Sequence, residues 1–140
     1  MLDYDFIRRD INELNTRYEI REIAIDRWNS THLQTQLAGD GFQVVQFGQG
    51  FASMAASTSE RDEMILARKI RHGGHPVLRW NISNVAVKRD AAGNVKHDKS
   101  KSSDKIDGVV AMIMALGRAM VQPPEESTRS VYENRGIRTL

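Results

Sequence analysis

Two short runs, Glu19-Ile20-Arg21-Glu22-Ile23-Ala24-Ile25-Asp26 and Phe42-Gln43-Val44-Val45-Gln46-Phe47, decide the fold class. The first opens polar and turns apolar before Asp26, which predicts a strand buried at its C-terminal end. The second predicts another strand. Between them, Asn29 or Ser30 can cap a helix carrying Leu33 and Leu37, and Gly39-Asp40-Gly41 is a helix-end and turn signal. A helix crossing between two strands implies a parallel pair with a right-handed connection. The expectation is therefore an α/β fold.

Working outward from this unit, Ile7, Ile11, Leu14 and Tyr18 recur at helical spacing, predicting an amphipathic helix over residues 3–18 capped by Asp3. Downstream, Gly48-Gln49-Gly50 breaks the second strand. Ser57, Thr58 or Ser59 is expected to cap a third helix, with Glu60 and Asp62 in its first turn and Met64, Ile65 and Ile70 on its buried side. His72-Gly73-Gly74-His75-Pro76 is a break, and Pro76 can open a helical segment from Val77 to about Ser83, with a strand as the alternative. Val85-Ala86-Val87-Lys88 and Val95-Lys96-His97 flank a Gly-containing loop, the pattern of a β-hairpin. A last helix carries Ile106, Val109, Val110, Ile113, Met114 and Leu116, apolar around most of its circumference and so expected to be buried. From Gln122 the chain turns polar. One structured unit over residues 1–121 and a flexible tail over 122–140 follow from this.

A chain of 140 residues has room for one domain. Its 40% hydrophobic and 27% charged residues are ordinary for a globular domain. No stretch approaches the roughly 20 apolar residues of a membrane span. The acidic, helical start is unlike a signal or transit peptide, and the absence of cysteine excludes a disulfide framework and a thiolate zinc site. A cytoplasmic setting is the default expectation. The net charge of +2 is too small to point to nucleic acid. Its distribution says more, because Lys88, Arg89, Lys96, Lys99, Lys101 and Lys105, with His97, fall in one short region that would attract a phosphate backbone. A solvated lysine-rich loop is the competing reading.

Three aspartates are candidates for chemistry. Asp26 follows an apolar strand, at the edge where open α/β sheets hold ligands, although it could equally cap the next helix. Asp104 and Asp107 are three apart and are expected on one face at the start of the last helix. Asp104 suits the helix dipole. Asp107 borders a very apolar segment and is expected to need a partner, such as a metal ion, while Gly108 beside it allows a close backbone approach. If the last helix packs beside the first strand, Asp26 and Asp107 meet, and oxygen donors of this kind suit Mg²⁺ or Mn²⁺. Two such ions can drive phosphodiester hydrolysis. His72 and His75 are weak metal evidence and are read as a loop near the mouth of the site. His97 is expected to contact phosphate, and His32 to face solvent or its own helix. Trp28 and Trp80 are expected to pack in the core or at a groove edge. There is no ATP-binding P-loop and no nucleophile elbow.

In order along the chain, Ile23-Ala24-Ile25-Asp26-Arg27-Trp28-Asn29, the Gly41 turn, Gln46 to Gln49 and His72-Gly73-Gly74-His75-Pro76-Val77-Leu78-Arg79-Trp80 resemble the nuclease domain of tailed-phage terminase large subunits. So do Asn84, Gly93-Asn94, Lys99 and Asp104-Lys105-Ile106-Asp107-Gly108-Val109-Val110-Ala111. The resemblance covers residues 1 to about 120. It implies a ribonuclease H-like α/β fold, a mixed sheet flanked by helices, here lacking the first antiparallel strands and the Asp they carry. Asp26 then matches the fourth-strand acid and Asp107 the last-helix acid, with Asp104 an auxiliary ligand or a cap.

The resemblance further implies a metal-dependent DNA endonuclease of a packaging motor, using Mg²⁺ or Mn²⁺ on Asp26, Asp107 and Asp104. Double-stranded DNA would be held by Lys88, Arg89, Lys96, His97, Lys99, Lys101 and Lys105, in the cytoplasm of a bacterial host. The portal and the small terminase subunit are implied partners, and self-association through an open sheet edge is a further one. With one metal ligand missing, weak activity or none is expected. A truncated frame, a prophage remnant and one piece of a split gene are all compatible with this. The rivals are a non-catalytic DNA- or motor-binding piece, a ribonuclease H-like nuclease with another substrate, and an inert remnant.

Overall fold

The computed structural model describes residues 3–26, 31–48, 50–98 and 100–121. Trp28, the caps expected at Asn29 or Ser30, Lys99 and the tail over 122–140 lie outside the described residues. The order of elements is α1 (Tyr4–Arg17), β1 (Ile23–Asp26), α2 (Thr31–Gly39), β2 (Val44–Phe47), α3 (Phe51–Leu66), α4 (Pro76–Asn84), β3 (Val87–Arg89), β4 (Val95–His97) and α5 (Asp107–Val121).

β1 and β2 are parallel, with Ile23 opposite Val44 and Asp26 opposite Phe47. Side chains alternate across a strand, and here each face serves a different core. Ile23, Ile25 and Val44 join Leu33, Leu37 and Phe42 beneath α1 and α2. Ala24 and Phe47 join Met54, Val109, Val110, Ile113 and Met114 beneath α3 and α5. The result is a three-layer α/β arrangement. The second strand pair, β3 with β4, is an antiparallel hairpin whose β4 packs on α3.

Local chemistry accounts for most boundaries. The Asp3 carboxylate accepts from the backbone N–H groups of Asp5 and Phe6, capping α1 as expected. Gly41, at φ 95°, takes the left-handed turn that ends α2, a backbone state only glycine adopts cheaply. Pro76 opens α4, which is a helix and not the alternative strand. The α1 stripe is only partly used, because Ile7 and Ile11 pack on the core while Leu14 and Tyr18 stay exposed.

The start of α3 corrects the sequence expectation. The helix begins at Phe51 with Gly50 as its cap, so Ser57, Thr58 and Ser59 lie in its interior. Thr58 Oγ1 donates back to the Met54 carbonyl at 2.7 Å, which satisfies the hydroxyl without ending the helix. Its buried face is Met54, Ser57, Thr58 and Arg61, while Ile65 is 40% exposed. Small residues sit inward because α5 crosses closely there. A Cβ added at Gly117 would lie 2.5 Å from Ser57 Oγ and 2.9 Å from the Phe47 ring.

α1 is tied down by Asp40, which accepts from Arg8 Nε at 2.6 Å, from a second Arg8 nitrogen, and from Asn12 Nδ2 at 2.9 Å. The Arg8 and Asn12 hydrogen bonds hold the Asp40 carboxyl at about 2, below its ordinary 3.8.

Two outcomes follow. Gly117→Ala should destabilise the fold by about 1–3 kcal/mol through overpacking, read from urea denaturation. Because the Asp40 pKa is depressed by folding, its tether is fully present above about pH 4 and is lost as pH falls toward 2. An acid titration of helicity should therefore lose a component over that window, and Asp40→Asn should remove it; an unchanged titration in the variant would rule the tether out.

Candidate active site

Along β1, Asp26 shares its face with Ala24, the face covered by α5. α5 packs directly on β1, and Arg118 near its far end pairs with Glu22 just ahead of the strand. Both nitrogens of the Arg118 fork are used, with Nη2 3.3 Å from Glu22 Oε2, and the Glu22 side chain is only 5% exposed. That carboxylate raises the Arg118 pKa by its hydrogen bond. From this anchor α5 runs about 16 Å back to Asp107 at 1.5 Å per residue, while β1 runs about 13 Å forward to Asp26. The two lengths are comparable, so α5 can reach along the whole of β1 from this anchor. The alanine in the middle of the strand is small enough to let the helix lie close.

Asp107 is the first residue of α5 and is exposed. There the helix N-terminus favours its charge. Asp104 departs from the expected placement. It precedes the helix, accepts from the Lys105 N–H at 2.8 Å, and does not share a helical face with Asp107. Ser102, Asp104, Lys105, Ile106 and Asp107 do line one open depression of about 410 Å³.

The segment holding these aspartates is positioned by α4, through a residue that sequence reasoning missed. Asn81 is 3% exposed. Its Oδ1 accepts from the Gly108 N–H at 2.8 Å and its Nδ2 donates to the Lys105 carbonyl at 3.1 Å. It therefore caps α5 from a neighbouring helix. A Cβ on Gly108 would fall 2.7 Å from Asn81 Oδ1, so the close approach allowed by that glycine is made by Asn81 itself. Asn84 adds a bond to the Lys105 carbonyl at 3.2 Å and accepts from Ser103 Oγ at 3.2 Å. No motif marks Asn81, which reads as one more polar residue on a short helix.

The basic residues separate into classes. Lys88 and Lys96 are register partners across the hairpin, where like charges repel. Lys88, Arg89, Lys101 and Lys105 are exposed. His97 is 4% exposed, buried where β4 packs on α3, which corrects its expected role as a phosphate contact. Asp98, also missed, anchors the turn after β4: it accepts from Ser100 Oγ at 2.6 Å and Ser100 N at 3.0 Å, bonds that keep its carboxyl below the usual carboxylate range. The Asp-x-Ser spacing was its available signal. His72 and His75 are exposed in the loop before α4, His32 is exposed with its ring edge toward Tyr4, and Trp80 is 44% exposed.

Among the described residues, no three His, Asp or Glu side chains come together as a metal-binding group. The carboxylates of Asp26 and Asp107 are the donor type that Mg²⁺ and Mn²⁺ take, commonly one or two of them with waters and phosphate oxygens. They fall short of a two-ion cage.

A parallel strand pair between helical layers, with an acid at its carboxyl edge and another opening the last helix, defines a ribonuclease H-like α/β domain. Residues 1–122 match the family model described as "Terminase large subunit, endonuclease domain", and the chain belongs to that family. It is similar to the terminase large subunit of Enterobacteria phage HK97, 38% identical over 127 residues that cover 89% of this chain and 25% of the relative. It is also similar to protein YmfN of Escherichia coli (strain K12), 34% identical over 142 residues that cover 99% of this chain and 31% of that protein. The crystal structure of the HK97 bacteriophage large terminase superposes with a TM-score of 0.75 at 39% identity, covering 84% of this chain and 25% of that one. The chain thus spans a quarter to under a third of the length of these relatives.

Removing the cap should expose its structural weight. Asn81→Ala leaves the Gly108 N–H without that partner and the Lys105 carbonyl with Asn84 alone, and should lower stability by about 1–3 kcal/mol in urea denaturation. Asn84→Ala, from a less buried site, should cost less; equal effects would contradict the assignment of Asn81 as the main cap.

Proposed function

We propose that this chain is a metal-dependent DNA endonuclease module of a phage packaging terminase, weakly active or inactive when isolated. The observation that supports the reading is the packing of α5 on β1. Asp26 lies on the strand face that α5 covers, and Asp107 opens that helix. Asp26 and Asp107 would hold the ion, with Asp104 near enough in sequence to assist. When bound, an ion of this kind polarises a phosphoryl oxygen and acidifies water. The chain's own contribution is positional: Asn81 fixes the turn carrying Asp107, and the Glu22–Arg118 pair fixes the course of α5. Lys88, Arg89, Lys96, Lys101 and Lys105 would bind the phosphate backbone of duplex DNA, and Lys99 belongs to the same reading.

The membership of the family brings the portal and the small terminase subunit into the reading as motor partners. The β1–β2 pair has no third strand among the described residues, which keeps strand addition by a second copy within it. No helix among the described residues is long and apolar enough to cross a membrane. The lack of a three-ligand group among the described residues favours a second reading, in which the module binds DNA without cutting.

Nicking of supercoiled plasmid by the purified chain in Mn²⁺, with EDTA as control, separates the two. Metal-dependent nicking should fall on the order of a hundredfold or more in Asp26→Asn and in Asp107→Asn, the scale of several kcal/mol of transition-state stabilisation. Nicking that both variants retain would refute the site. DNA binding without nicking would support the second reading.

A further inference from the structure

Charge is segregated along this chain in a way the hairpin alone does not capture. From Met64 to Arg89 there is not one Asp or Glu, while Arg68, Lys69, Arg71 and Arg79 all fall within that run. All four are exposed, on the turn that ends α3, the loop that follows and the first half of α4. Elsewhere in the fold five arginines are matched with acids: Arg8 with Asp40, Arg9 with Asp10, Arg17 with Glu13, Arg61 with Asp62 and Arg118 with Glu22. Arg68, Lys69, Arg71 and Arg79 form no ion pair with any described residue.

The next acids along the chain do not neutralise this surface, because their oxygens are turned into their own loops. Asp90 accepts from the N–H groups of Ala92 and Asn94 and from Asn94 Nδ2. Asp98 accepts from Ser100. On the upstream side, Asp62 near the end of α3 is matched with Arg61, and the run itself carries no carboxylate, whereas a solvated loop would be under no pressure to exclude one. A surface meeting a polyanion would.

Its placement is specific. The middle of α4 lies against the start of α5 through Asn81 and Gly108, and Leu78 is beside the same glycine. The hairpin leaves from the C-terminal end of α4, and the basic loop enters at its N-terminal end. A helix of this length spans about 13 Å. Two cationic surfaces therefore flank the turn that carries Asp107, one off each end of α4. Duplex DNA presents a charge about every 1.7 Å along its axis, so one continuous backbone can meet both.

We propose that Arg68, Lys69, Arg71 and Arg79 form a second phosphate-backbone contact for duplex DNA, on the opposite side of Asp107 from the hairpin. This rests on the DNA-binding reading above and does not require the chain to cut. The contact carries no base recognition; it sets where the backbone crosses α4.

The test is fluorescence anisotropy of a labelled 20-bp duplex (about two helical turns), titrated with the full chain in EDTA across a range of NaCl. The loop variant carries Lys69→Gln, Arg71→Gln and Arg79→Gln. The hairpin variant carries Lys88→Gln, Arg89→Gln and Lys96→Gln. Arg68, at φ 55° in the turn that ends α3, is left in place so that this turn is unchanged. Circular dichroism and the thermal midpoint check that the loop variant folds as wild type. Each lost phosphate contact should make the slope of log K against log [salt] shallower by about 0.9, so the loop variant should lose about 2 to 3. A wild-type slope in the loop variant, with a shallower one in the hairpin variant, overturns the inference and leaves the DNA reading standing. A shallower slope in the loop variant, with no nicking in Mn²⁺, supports the contact and sinks only the catalytic reading. Absence of salt-dependent binding by wild type overturns both. Equal affinity and slope for single-stranded DNA overturns the assignment to duplex.

Discussion

The alternation in Ile23-Ala24-Ile25-Asp26 is the constraint on which the rest of the molecule depends. Ile23 and Ile25 belong to the core under α1 and α2, and Ala24 belongs to the core under α5. A shift of one residue in the pairing with β2 would exchange these sets, burying a small residue where bulk is needed and forcing isoleucines against α5. The register also fixes which way Asp26 points. Correct pairing and a carboxylate on the α5 side are one outcome, set by the same four residues.

The second core depends on closeness. Gly117 gives α5 its contact with Ser57 and Phe47, and Ala24 gives it a flat strand to lie on. Small side chains do not bury much surface themselves. They bring Val109, Val110, Ile113 and Met114 into register with Met54, and each such apolar burial stabilises by about 1.5–3 kcal/mol. At the other end of α5, Asn81 supplies a cap from α4. In this way the helix that carries Asp107 is held at both ends by side chains from elsewhere, Asn81 at its first turn and Glu22 at its last.

Much of this was legible in the sequence because period and punctuation are local properties. The two strands, the crossing helix, the Gly41 turn, Pro76 as a helix start and the hairpin around Gly93 each follow from a few adjacent residues. What could not be read depends on tertiary contact. Ser57 and Thr58 look like caps because their oxygens usually bond to nearby backbone outside helices, yet packing against α5 holds them inside α3. Ile65 looks like core and is exposed, because the face of α3 is chosen by its neighbour α5. His97 reads as one member of a basic cluster, but alternation in β4 turns it toward α3 and away from solvent. Asp26 and Asp107 were visible as candidates. The course of α5 between them is tied by the distant Glu22–Arg118 pair, which no local pattern reveals.

The electrostatics of the reading impose a condition of their own. Carboxylates that serve a phosphate substrate also repel it, and a net charge of +2 spread over the surface would not offset that repulsion. Screening at physiological salt confines a surface charge to about 8 Å, so compensating cations must lie close to where the backbone passes. The chain meets this by distribution. Acidic residues concentrate ahead of Met64, many of them matched with arginines, and the stretch from Met64 to Arg89 is free of them. α4 is the element that converts this linear segregation into a spatial one, because it carries basic sequence in at one end and out at the other while its middle packs on the turn holding Asp107. A backbone drawn to both ends of α4 has to cross that turn. On this reading the cations do more than bind: they choose which phosphate lies nearest Asp107.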